Sequence, residues 1–405
     1  MLKRRLGIVA LMATFALVVA ACGDDTSAST TGAGSTTTAA TTTTAAATTT
    51  TAGETTTTEA MGPSFLACQV SDTGGIDDKS FNQTAWDGMT QAQDELGIEV
   101  QFLESTDATD YRPNIDSFIA QGCNVIITVG FLLADDTAAA AADNPDSLFA
   151  IIDYPVAGPP DPGCGCGGET GGPPVPPFTE ASTNVRGINF NTNEAAFLAG
   201  YLAAGMSASH VVGTFGGINI PTVTIFMDGF YYGAAYYDSV KGTTTTVLGW
   251  DPANPETGLF TNNFESLDDG RAFAQNLMDE GADIILPVAG PVGLGSGAAI
   301  QDANASGANV MMIGVDVDQY ISAPELGDIM LTSIEKKIDA SVLNTVDNVY
   351  VLGAPGNDYY GSLANGGVDI APFHNFDSAV PADLKAELTQ LKADIIAGTV
   401  SVSGG

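Results

Sequence analysis

The sequence predicts an α/β protein of two Rossmann-like lobes with parallel sheets, joined by a hinge. Three observations carry this. From residue 61 onward, strand-like runs alternate with helical patterns. The runs are almost continuously apolar, as strands covered by helices on both faces are. One unit also occurs twice: "AQGCNVIITVGF" (120–131) and "DEGADIILPVAG" (279–290) share a helix end, a glycine, a polar residue, an apolar strand and a closing glycine.

The chain opens with Lys3, Arg4 and Arg5, followed by an apolar run from Leu6 to Val19. That is the length of a signal h-region and short for a bilayer span. It ends in "VAAC", which resembles a lipobox, so 1–21 is expected to be a lipoprotein signal peptide and Cys22 the lipidated residue, with palmitate-type chains. An ordinary signal peptide with a chance cysteine is the plainer alternative. Residues 23–60 are almost all Thr, Ala, Ser, Gly and acids, too polar and small to bury a core. The segment 22–60 therefore reads as a lipidated cysteine with a disordered tether, which would hold the folded part just outside the cell membrane.

The remaining chain, 61–405, suits two lobes better than one core. The expected division is lobe 1 over 61–190, lobe 2 over 191–320, and a hinge return with C-terminal segments over 321–405. Net charge is −36, and signal cleavage would remove three cations and no acid, leaving −39. Nucleic acid is excluded as a partner, because the attraction to phosphate would be reversed. A polyanionic ligand is equally hard to hold. Four cysteines follow Cys22, and their three possible pairings stay open. Cys164 and Cys166 fall in a Pro/Gly-rich insertion, 155–183, and read as a loop staple or free thiols. No metal site is expected, since His210 and His374 are both far from them.

In lobe 1, "SFLACQV" reads as the first strand. Phe81, Ala85, Met89, Ala92 and Leu96 then keep a helical period, with Ser80 and Gln83 as a capping box and Gly97 as the stop. "IEVQFLE" is a second strand, Pro113 to Gln121 a helix, "NVIITVG" a third strand and "LFAIID" a fourth. "VVGTFGG" (211–217) opens lobe 2 as "SFLACQV" opens lobe 1. Ligands of open parallel sheets bind beyond the carboxyl ends of the strands. Two lobes facing each other at those ends form a cleft that can close by a hinge, as in periplasmic-type binding proteins.

The stretches expected at those ends carry a family resemblance. "DTGGIDDKSFNQTAWDG", "GGINIPTVTIFMDGF", "LPVAGPVGLG", "IGVDVDQ" and "SIEKKIDASV" occur in order. Together they resemble the signatures of the basic membrane protein family, the purine-nucleoside-receptor-like substrate-binding lipoproteins of ABC transporters. The resemblance runs from about Phe65 to Val351 and implies a periplasmic-binding-protein type I-like fold. It implies no enzyme and no cofactor. It also implies a nucleoside held between the lobes, passed to an ABC permease driven by separate ATPase subunits.

By that resemblance, Phe81 and Phe226 are expected to stack on the base, and Asp72 and Asn82 to bond its edge. Asp316 and Lys336 would grip the pentose, while Gly290 and Gly293 allow close backbone approach. Phe131 and Asp153 also belong to the expected site, because each follows a strand. Plainer readings exist for each: core packing for Phe81, turn chemistry for Asp72 and Asn82, a structural ion pair for Asp316 and Lys336. Asp77 and Asp78 are expected in the turn or in solvent. The alternative function is binding another neutral polar solute, such as a sugar or small heterocycle. A dinucleotide-dependent enzyme is the weaker rival, because "GPVGLGSG" spaces its glycines G-x-x-G-x-G rather than G-x-G-x-x-G. A monomer is the expectation for this class.

Overall fold

The computed structural model describes residues 64–158 and 174–403. The signal segment, Cys22, the tether and the Cys164–Cys166 pair lie outside the described residues.

The first part runs β1 (Leu66–Val70), α1 (Phe81–Leu96), β2 (Glu99–Leu103), α2 (Tyr111–Gln121), β3 (Val125–Val129), α3 (Ala134–Asp143), β4 (Phe149–Ile152) and β5 (Val185–Phe190). Next come α4 (Thr192–Met206), β6 (Val211–Gly216), α5 (Pro221–Lys241), β7 (Thr246–Leu248), α6 (Leu267–Asp279), β8 (Ile284–Val288), α7 (Val292–Ala305) and β9 (Met311–Asp316). The chain ends with α8 (Gln319–Ser322), β10 (Met330–Lys336), α9 (Ile338–Leu352), β11 (Tyr359–Gly361), β12 (Val368–Ile370) and α10 (Ala382–Ile396).

These strands form two six-stranded sheets, ordered β11-β5-β4-β3-β1-β2 and β12-β10-β9-β8-β6-β7. Pairings between the named strands are parallel except β10 with β12. The second order repeats the first, with β6 standing for β1, β8 for β3, β9 for β4 and β10 for β5. The repeat visible in the sequence is this correspondence: its two apolar strands are β3 and β8, buried along their whole length.

The chain passes between the sheets more than once. After β5, α4 packs on α5 and on the edge of the second sheet at β10 and β12. After β10, α9 packs back on α1 and β3. The α4–α5 contact is close because glycines face backbone: a Cβ on Gly200 would lie 2.0 Å from the Phe230 carbonyl oxygen, and one on Gly233 2.0 Å from that of Phe197. Residues after α9 return to both lobes, β11 joining the first sheet and β12 the second.

Helix ends follow the expected chemistry in part. Gly97 and Gly122 close α1 and α2 in the left-handed conformation, φ 67° and 79°. The start of α1 differs from expectation. Ser80 makes no capping bond. Asp78 takes that role, its carboxylate accepting from the backbone N–H groups of Ser80, Asn82 and Gln83 at 2.9, 2.8 and 3.0 Å. A charged acceptor serves several free amides at a helix start better than a hydroxyl does. Cys68 and Cys123 form a disulfide that ties β1 to the turn before β3.

Candidate functional site

A cleft lies between the carboxyl ends of the two sets of strands. Lobe 1 supplies Asp72 after β1, Phe131 after β3 and Asp153 after β4; lobe 2 supplies Gly290 after β8, Asp316 from β9 and Lys336 from β10. Phe81 and Asn82 reach it from the first turn of α1, and Phe226 from the second turn of α5. Of the residues singled out in the sequence, the structure brings nine to this cleft. Gly293 lies apart, inside α7, where a Cβ would meet Pro287 and Met312 at 3.4 and 3.5 Å.

The glycine-rich run that imitates a dinucleotide motif has a packing explanation. A Cβ on Gly295 would sit 1.9 Å from the carbonyl oxygen of Leu267, so the glycine lets α7 press against the start of α6. Gly290 has φ 53°, a left-handed turn between β8 and α7 that suits glycine.

Three charges sit at the centre. Lys336 is only 3% exposed. Its ammonium lies 2.7 Å from Asp153 Oδ2 and 3.1 Å from Asp316 Oδ1. Asp153 and Asp316 end corresponding strands of the two lobes, and both hold the left-handed backbone, φ 65° and 69°. Non-glycine residues rarely adopt it, and such strain gathers at functional sites. Lys336 therefore joins both lobes through one ammonium. Ser80 adds a second link, its hydroxyl donating to Asp316 Oδ2 at 2.7 Å. This is the partner that draws Ser80 away from capping.

Two carboxylates against one ammonium leave an excess negative charge in a dry place. Burial pushes the Asp153 carboxyl above its ordinary range, although Lys336 works against this. Burial would lower the Lys336 pKa, but Asp153 and Asp316 outweigh it and raise it above normal. The lysine stays charged. The sequence reading paired Lys336 with Asp316 alone; the closer carboxylate is that of Asp153. Lys337, by contrast, is half-buried and meets Glu335 at 3.1 Å.

Aromatic faces surround the same ammonium. Lys336 Nζ lies 4.6 Å from the centre of Phe81, 5.3 Å from that of Phe226 and 5.8 Å from that of Phe190.

A second polar group forms the other end. Asn82 donates from Nδ2 to Asp72 Oδ1 at 2.7 Å and to Asp78 Oδ2 at 3.2 Å. Its Oδ1 is buried and has no partner. Gly74 N–H also donates to Asp72 Oδ1, at 3.1 Å. Burial pushes the Asp72 carboxyl up to about 6 and that of Asp78 up to about 7, partly offset by these bonds. Asp77 is exposed, whereas Asp78 is buried in the turn. Sequence reasoning missed the role of Asp78, and also missed Phe264, which lines the cleft from an irregular stretch with no period to mark it.

The sequence model of the family described as "ABC transporter substrate-binding protein PnrA-like" matches residues 65–403. The chain is 29% identical over 350 residues to a Lactococcus lactis protein named ABC transporter nucleoside-binding protein BmpA, covering 83% of this chain and 88% of that one. It is 30% identical over 329 residues to basic membrane protein A of Borreliella afzelii, covering 80% and 87%. Among solved structures, an ABC transporter solute-binding protein of Aeropyrum pernix K1 aligns with a TM-score of 0.70 at 22% identity, covering 83% of this chain and 92% of that one. The expected two-lobed, periplasmic-binding-protein type I-like fold is the fold found.

Proposed function

The chain belongs to the family of PnrA-like ABC transporter substrate-binding proteins, and on that premise we propose that its ligand is a neutral purine nucleoside. Proteins of this kind work outside the cytoplasm and deliver a solute to a permease. We further propose that Cys22 carries the lipid anchor, that 23–60 is the tether, and that separate ATPase subunits drive import. The chain itself catalyses nothing in this reading.

One observation carries the proposal: Phe81 and Phe226 both face the ammonium that bridges Asp153 and Asp316. In this reading the base stacks on these rings, where stacking contributes about 1–3 kcal/mol per base. Vicinal hydroxyls of a pentose can donate to Asp316 and accept from Lys336. At the far edge of the base, the Asp72 carboxylate accepts and the unpartnered Asn82 Oδ1 accepts a second N–H. The charge balance favours a neutral ligand, because Lys336, the one lysine among the described residues that line the cleft, is already matched by two carboxylates. The name of the Lactococcus relative points the same way.

Titration calorimetry of the full chain with adenosine, guanosine, inosine, ribose and arabinose tests this. At least one purine nucleoside should bind with a Kd in the micromolar range or below. Binding of a free sugar with no heat from any nucleoside would overturn the reading in favour of another polar solute.

A further inference from the structure

A second hollow adjoins the cleft and shares Phe131, Asp153 and Thr222 with it. Its outer wall is built by the roots of the Pro/Gly-rich insertion. Tyr154 and Pro155 stand on one side of that insertion and Val175 on the other. The roots are fixed in place. The Tyr154 ring packs on Phe131 and Phe178 at 4.9 and 5.8 Å, and its hydroxyl donates to the Pro176 carbonyl. Phe190 and Ile225 complete a mainly apolar lining.

One polar feature stands out in it. Asn189, on β5, is 9% exposed, and its Nδ2 is buried with no hydrogen-bond partner. A buried amide N–H without an acceptor is costly, so this position calls for one. Among the described residues no cation lines the hollow, and the nearby Lys336 is committed to Asp153 and Asp316. An anion is therefore disfavoured here.

We propose that this hollow receives a neutral, largely apolar substituent on the sugar of the ligand, with one oxygen that accepts from Asn189. The preferred ligand is then an acylated or alkylated nucleoside rather than a bare one or a nucleotide. This rests on the nucleoside reading above. With the 2′ and 3′ hydroxyls held by Asp316 and Lys336, the 5′ position is the one left to pass Asp153 into the hollow.

The test is calorimetry of the full chain with adenosine, guanosine and inosine, each beside its 5′-O-butyryl ester and 5′-monophosphate. The ester of the tightest parent should bind at least tenfold more tightly than the parent, and the monophosphate more weakly. Val175→Trp, which fills the hollow from a residue outside the cleft, should abolish the advantage of the ester and leave the parent within threefold. Asn189→Leu should reduce the same advantage; Val175→Trp still reads the outcome should the Asn189 variant fail to fold. The inference is overturned by an ester no tighter than its parent, as when only water satisfies Asn189, or by an advantage that survives Val175→Trp. Binding of a parent nucleoside without gain for its ester removes this inference alone. Silence from every nucleoside and ester removes the nucleoside reading, and this inference with it.

Discussion

Replacing Lys336 by methionine is the most informative single change. Methionine keeps the length and apolar contact of the side chain but removes the charge between Asp153 and Asp316, 2.7 and 3.1 Å away. Removing one partner from a buried ion pair typically costs about 3–5 kcal/mol, because a buried charge is left uncompensated. Here two carboxylates lose the same partner, so the upper part of that range applies at pH 7. Asp153 can escape part of the cost by binding a proton. Asp153 is already raised by burial and would rise further without the ammonium. A carboxyl with a raised folded pKa stabilises the fold at low pH, and that contribution is lost as pH climbs through the folded value. The variant should therefore lose more stability at pH 7 than at pH 5. Urea unfolding followed by circular dichroism at both pH values measures this. Adding Asp153→Asn to Lys336→Met should restore part of the loss, a coupling that a double-mutant cycle reads directly. Equal losses at the two pH values, or a variant as stable as the parent at pH 7, would refute the reasoning.

Three other changes separate the roles of the cleft residues. Phe81→Ala should weaken nucleoside binding by roughly 10- to 100-fold, the loss of one stacking face. Phe102→Ala, at an exposed ring packed edge-on against Trp86, should change it less than twofold in the same titration. Affinity should fall by up to about tenfold per unit as pH drops below 6, because protonation of Asp72 removes an acceptor from the base edge; Asp72→Asn should flatten that profile. Gly295→Ala should lower stability by about 1–3 kcal/mol, through the clash with the Leu267 carbonyl, while ligand affinity stays within twofold.

The order of the central strands and helices was legible because β3, β4 and β8 are almost continuously apolar and buried, and glycines close α1 and α2 where the helical period stops. The doubling of the lobe was legible for the same reason, since β3 and β8 carry the same plan. Local chemistry was harder to read. Ser80 and Gln83 match a capping pattern, but a long-range partner, Asp316, draws the hydroxyl of Ser80 across to the other lobe. Nothing local in the sequence marks Asp78 as the true cap. The link of Lys336 to Asp153 spans 183 positions and depends on how the lobes face each other. No spacing rule reaches that far. Gly290 and Gly293 both looked like close approach to a ligand, yet only Gly290 lines the cleft, while Gly295 in the same run serves helix packing. The insertion hid its contribution for a different reason: its roots build the side hollow only where they meet Phe131 and β5.

The central claim is that the interlobe cleft holds a purine nucleoside, with its base against Phe81 and its ribose on Asp316 and Lys336. A crystal structure of the chain soaked in, or grown with, the tightest nucleoside from the titrations tests it most directly. The expected density places the base between Phe81 and Phe226 and the ribose hydroxyls within hydrogen-bond distance of Asp316 and Lys336. Density for the nucleoside elsewhere on the surface, with the Asp153–Lys336–Asp316 cluster untouched, would contradict it.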